Sequence, residues 1–164
     1  MSFILARERD SECIEAFRRY REYLSENSTH FPKSAFDLAT AEWYFYPHDH
    51  RCPHDAWMES ISIIETGSGD RNKQRLTTIK VRLLGAYHDG HIELTYPVVF
   101  AYELNSPSSE RGLGDWRYDE FRIRTGGGVI HEIEWAGFGQ IPPSRWQIES
   151  SDVKYQWIPL CLPR

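Results

Sequence analysis

Cys13, Phe17, Tyr20 and Leu24 recur at helical spacing within residues 10 to 26 and make one apolar stripe on a polar segment. Asp10 or Ser11 suits the N-cap of that helix, and Glu12 complements its positive end. The run Glu26-Asn27-Ser28-Thr29 ends it. A shorter helix is predicted from about Lys33 to Glu42, with Pro32 suited to its first turn and Phe36 and Ala39 facing inward. From Trp43 the period changes. Trp43-Tyr44-Phe45-Tyr46 favours a strand or the finish of the helix, and a loop from Pro47 to Pro53 follows.

Alternation then dominates. Ile61 and Ile63 alternate with Ser60 and Ser62, up to the turn Gly67-Ser68-Gly69-Asp70. Ile79, Val81 and Leu83 form one side of a hairpin, and Ile92, Leu94 and Tyr96 the other. Asp89-Gly90 between them tolerates the positive φ of a tight turn. The second strand continues through Val98, Phe100 and Tyr102, with Pro97 marking a bulge or an edge. Ser106 to Gly114 reads as a surface loop, and Gly126-Gly127-Gly128 as a second turn after Phe121 and Ile123. Ile133 and Trp135, Trp146 and Ile148, and Tyr155 and Trp157 mark three further strands. This order predicts an α+β fold, with one or two N-terminal helices packed on a mainly antiparallel β-meander or sandwich of about seven strands. It reads as one domain over 1–164, mainly helical over 1–42 and mainly β over 43–164.

Composition narrows the function classes. The chain has 164 residues, 40% of them hydrophobic, and its 6 Trp, 9 Tyr and 8 Phe supply bulky core material. A net charge of −5 disfavours nucleic-acid binding, since Arg18, Arg19 and Arg21 are the one tight basic cluster. No segment approaches the roughly 20 apolar residues that span a bilayer. Three scattered cysteines, Cys13, Cys52 and Cys161, make no disulfide framework, and the short apolar stretch at the N-terminus is unlike a signal peptide. The expectation is a cytoplasmic protein. Nothing in the sequence fixes its oligomeric state.

Candidate chemistry concentrates in loops. His48-Asp49-His50-Arg51-Cys52-Pro53-His54-Asp55 holds three imidazoles and a thiol, groups that suit zinc. Alternate positions would share one side if the loop were extended, but Pro53 bends it and the usual zinc spacings are absent. The bland reading is a polar loop with His54-Asp55 bonding backbone before a strand. Tyr87-His88-Asp89-Gly90-His91 is a second cluster, explained in large part by turn chemistry. Convergence of the two would favour a metal, with His50, Cys52 and His54 as ligands and His88 or Asp89 completing the shell. His131 lies on an apolar face and reads as a hydrogen-bonded core histidine. Glu132 and Glu134 read as a solvated strand face, as do Asp115, Asp119 and Glu120. Cys13 reads as packing material on the helical stripe. No nucleophile elbow and no phosphate-cradling loop occurs, and no catalytic pairing assembles.

Asp49-His50-Arg51-Cys52-Pro53-His54-Asp55-Ala56-Trp57, Leu83-Leu84-Gly85-Ala86-Tyr87-His88-Asp89-Gly90 and Gly114-Asp115-Trp116-Arg117-Tyr118-Asp119-Glu120 resemble segments of a bacterial protein family. The resemblance covers the chain from about Phe36 and implies no established activity. More loosely, a His-Asp loop, a strand and a β-meander with Tyr-Asp-Glu resemble immunity proteins of bacterial toxin systems, which implies a role in binding a partner toxin. The first expectation is therefore a non-catalytic protein-interaction module without cofactor, presenting Trp43, Tyr44, Trp116 and Tyr87 to another protein. The alternative is a small metal-dependent hydrolase using zinc at the loop 48–55.

Overall fold

The computed structural model describes residues 1–5, 9, 11–67, 71, 74–107 and 110–161. The expected cap at Asp10, the turn through Ser68-Gly69-Asp70 and the middle of the loop 106–114 fall outside them. Helix α1 spans Cys13–Glu26. Its buried line is Ala16, Tyr20 and Leu24, one turn apart, with Phe17 and Tyr23 half-buried beside it. Cys13 is a correction to the expected stripe: the first turn is not covered, and Cys13 and Ile14 both face solvent. Because the helix starts at Cys13, the cap position falls on Glu12, which makes no side-chain cap bond, rather than on Ser11. At the other end Asn27 donates from Nδ2 to the Tyr23 carbonyl (2.8 Å), satisfying one of the open carbonyls of the last turn.

Helix α2, Lys33–Thr40, follows Pro32 and buries Ala35, Leu38 and Ala39. Its first amides find their partner far along the chain, as Ser34 and Ala35 donate to the Asp152 carboxylate at 3.3 and 2.8 Å. The helix stops two residues earlier than expected, at an extended Ala41. The aromatic run is then neither strand nor α-helix but a 3-10 turn, Glu42–Phe45, that drives Tyr44 into the core.

Among the described residues seven antiparallel strands follow: β1 Trp57–Thr66, β2 Leu76–Leu84, β3 Gly90–Asn105, β4 Trp116–Ile123, β5 Val129–Trp135, β6 Arg145–Ser150 and β7 Lys154–Pro159. They form one sheet in the order β1-β2-β3-β6-β5-β4, with β7 also on β3, so the connectivity is two meanders joined along β3 rather than a sandwich. The long β3 makes this possible. Its first half, Gly90 to Thr95, pairs with β7, and its second half, Val99 to Asn105, pairs with β6. The predicted hairpin is present, with Ile79, Val81, Leu83, Ile92, Leu94 and Tyr96 all buried on one face. Pro97 sits where the β2–β3 register shifts between Thr77 and Ile79, the expected bulge. The turn differs in detail: its left-handed residue is His88 (φ 56°), and Gly90 already belongs to β3. Gly90 is required for another reason, because a Cβ there would lie 2.2 Å from the Trp157 ring.

The outer strands β1 and β4 are treated differently. Asp55 N–H donates to the Trp116 carbonyl (2.8 Å) and Trp116 N–H to the Ala56 carbonyl (2.9 Å), so the sheet curls until the start of β4 meets the residues before β1. Asp55 adopts a left-handed φ of 65° to make this junction. Further along β4 the outer edge is covered. Tyr20 Oη accepts from Phe121 N–H (2.7 Å) and donates to its carbonyl (3.1 Å), and Tyr23 Oη accepts from Ile123 N–H (2.9 Å). Glu120 Oε2 accepts the amides of Phe3, Ile4 and Leu5. The helices thus pack on the sheet, and α1 covers the outer edge of β4.

Candidate functional site

Three places concentrate chemistry, and they differ in access. The first is a polar chain inside the core. Asp119 accepts from Tyr44 Oη (2.8 Å) and Trp116 Nε1 (3.1 Å), and its Oδ2 lies 2.8 Å from His131 Nε2. His131 Nδ1 in turn meets Tyr96 Oη at 2.7 Å. With Asp119 accepting, Nε2 carries the proton and Nδ1 accepts from Tyr96. All five side chains are buried, and Phe121 stacks on the imidazole at 4.1 Å between centroids. Burial also holds the Tyr44 and Tyr96 hydroxyls well above the usual tyrosine range. This buried Tyr-His-Asp chain satisfies polar groups in a dense aromatic core.

His131 is therefore the hydrogen-bonded core histidine that the sequence predicts. Tyr44 and Trp116 are corrected from partner-facing residues to core residues, each 1% exposed, because each spends its polar atom on Asp119. Asp119 and Glu120 are corrected as well, from a solvated face to buried acceptors. Glu134 is buried between Arg9 (3.3 Å) and Arg145 (2.7 Å), and Glu132 lies between Arg122 and Arg145. The predicted acidic stripe is thus neutralised by arginines. Arg122, diagonal to Glu132 across the same hairpin, is the signal that could have revealed it.

The second place is the meeting of the two histidine loops. They do converge. His50 stacks on Tyr87 with ring centroids 4.0 Å apart, and its Nδ1 lies 2.5 Å from Asp89 Oδ2. Tyr87 Oη, on a half-exposed ring, donates to the Pro47 carbonyl. The other proposed ligands turn elsewhere. Cys52 is buried with Sγ on the Tyr44 carbonyl (3.0 Å), and burial pushes its thiol up to about 12. His54 packs against Tyr118 and approaches Asp55, while His88 packs against Trp57. Among the described residues no three His, Cys, Asp or Glu side chains are grouped to hold a metal ion. The loop is instead braced by Asp49, which takes two hydrogen bonds from the Arg51 guanidinium and is lowered to about 2 by that contact. Arg51 also lies over the Trp43 ring, leaving Trp43 half-buried between it and Tyr155.

The third place is open and apolar. A concavity of about 740 Å³ lies beside the β1–β4 junction. Trp57 and Met58 contribute from the start of β1, Leu104 from the end of β3 and Trp146 from the start of β6, with Leu113 and Phe138 from loops. Its polar groups are Ser106, Arg111 and Asp115. Gly114 (φ 80°) lets the two wall loops touch, since a Cβ there would fall 1.7 Å from the Ala136 carbonyl. Ala136 N–H bonds the Asp115 carbonyl across the same contact (2.7 Å). The chain matches no family model, no curated protein and no solved structure. Sequence reading missed this concavity. Its signal is the pair Gly112-Leu113-Gly114 and Gly137-Phe138-Gly139, each carrying a large apolar residue between glycines in a loop.

Proposed function

We propose that this protein is a non-catalytic interaction module that docks another protein over the apolar concavity. The observation that carries this reading is the contrast between an open apolar pocket and an acid–base chain sealed in the core. Aromatic and aliphatic walls with a few polar groups match the anatomy of a docking pocket for one anchoring side chain. A narrower form is an immunity protein that neutralises a bacterial toxin. It rests on the loose resemblance noted above, and on free cysteines that suit the reducing cytoplasm. No described helix is long and apolar enough to cross a membrane.

The test is a binding series with a partner toxin encoded beside the gene. Phe138→Ala and Leu113→Ala should each weaken the complex by about tenfold or more, the scale of a hot-spot truncation. Full affinity in both variants would end the reading. The zinc alternative has its own support in the pairing of His50 with Asp89. It requires zinc to raise the melting temperature and His50→Ala to abolish the rise, whereas the interaction module should melt at the same temperature with and without zinc.

A further inference from the structure

The strand β1 is paired on one side alone. It bonds β2 from Trp57 to Thr66, and past the junction at Asp55 and Ala56 its outer edge has no backbone partner among the described residues. At the outer edge of β4, Tyr20 and Tyr23 of α1 take its backbone groups, and Phe3, Ile4 and Leu5 donate their amides to its Glu120. Soluble proteins guard a free edge with charge, proline, bulges or a covering element, because its open N–H and C=O groups template another strand. The central run of β1, Ser60-Ile61-Ser62-Ile63-Ile64, carries no charge, proline or glycine. Ile63 is 42% and Ile64 45% exposed. The one register shift of β1 lies before this run, between Met58 and Ser60. The third outer strand, β7, pairs with β3 alone, but it is short and carries Lys154 and Pro159, so β1 is the long outer strand whose centre lacks such a guard.

We infer that this edge is occupied by a second copy of this chain, paired antiparallel through β1 about a two-fold axis at Ser62. In that register Ile61 faces the partner's Ile63 and Ile63 faces the partner's Ile61, both on one face, and β-branched pairs of this kind favour pairing. Ser60 faces the partner's Ile64, and Ser62 faces the partner's Ser62. No charge enters the uncharged centre. Glu59 and the partner's Glu65 meet at the ends, and each already has a cation in its own chain: Arg82 (3.4 Å) and His91 (3.1 Å) for Glu59, and Arg75 (3.3 Å) for Glu65. The pairing is isologous, so it closes at two chains and leaves no new edge. It is centred on Ser62, whereas the concavity takes only Trp57 and Met58 from the start of β1, and it does not depend on the docking reading.

Cross-linking tests the register directly. In a background with the exposed Cys13 and Cys161 replaced by serine, Ser62→Cys should give a disulfide-linked dimer on oxidation, because residues at the axis face one another within bridging distance. Ser60→Cys should not, since its copies would stand roughly 13 Å apart along the antiparallel pair. Sedimentation of the unmodified chain should show a dimer at roughly 100 μM, a concentration that populates even a weak micromolar interface. Ile63→Lys should shift it to monomer with unchanged circular dichroism. Equal cross-linking at 60 and 62, or a monomer at that concentration, overturns the inference, and the two cysteine variants decide it even if Ile63→Lys fails to fold.

Discussion

Asp119 shows how much one side chain organises here. It receives a hydroxyl, an indole N–H and an imidazole N–H from three different segments, all out of water. Asp119→Ala strands those donors in an apolar cavity, so unfolding in urea should show a loss of about 3 kcal/mol or more. A loss under about 1 kcal/mol would mean that the donors find other partners. Cys52 gives a second expectation at this scale. With its thiol pushed up to about 12, only about one part in ten thousand is thiolate at pH 8. Two equivalents of thiol, from exposed Cys13 and Cys161, should react with a disulfide reagent in the native state, and a third only on unfolding. A fast third equivalent would contradict the buried placement of Cys52.

At the scale of elements, the strands were legible because alternation is a local signal. The β2–β3 hairpin and its bulge at Pro97 were predicted from residues within a few positions of one another. What alternation cannot express is which strand lies beside which: pairing of β3 with both β6 and β7 depends on contacts between 40 and 69 residues apart. The misplaced residues share one cause. Tyr44, Asp119, Glu120 and Glu134 each meet a partner supplied from a distant segment, and Trp116 is drawn in by Asp119 of its own strand, itself held by Tyr44 and His131. The edge of β4 makes this testable. Tyr20→Phe keeps the ring and removes the hydroxyl that serves Phe121 N–H and C=O. The expected cost is about 2 kcal/mol, with increased light scattering on concentration as the edge opens. A variant as stable and as clear in solution as the parent would show that α1 covers the edge by packing alone.

For the molecule as a whole, the decisive join is between its first residues and a strand more than a hundred positions away. Glu120 Oε2 holds the amides of Phe3 at 2.9 Å, Ile4 at 2.8 Å and Leu5 at 3.3 Å, and Oε1 lies 3.2 Å from Arg122 Nε. These contacts favour the carboxylate, yet burial outweighs them and raises its pKa above the ordinary glutamate value. The sign follows by linkage. Above pH 4.5 the unfolded chain has released this proton while the folded chain still holds it, so global stability falls as pH rises until the folded group ionises too. Below pH 4.5 both states are protonated and the slope vanishes. Glu120→Gln removes this titration, so between pH 4.5 and 7 its stability should fall less steeply with pH than the parent's. The difference in slope has an upper limit of about 1.4 kcal/mol per pH unit for a single proton. Parallel stability curves would mean that the N–H donors and Arg122 fully compensate for burial. Because the comparison is between slopes, it holds even if the glutamine shifts absolute stability by disturbing Arg122.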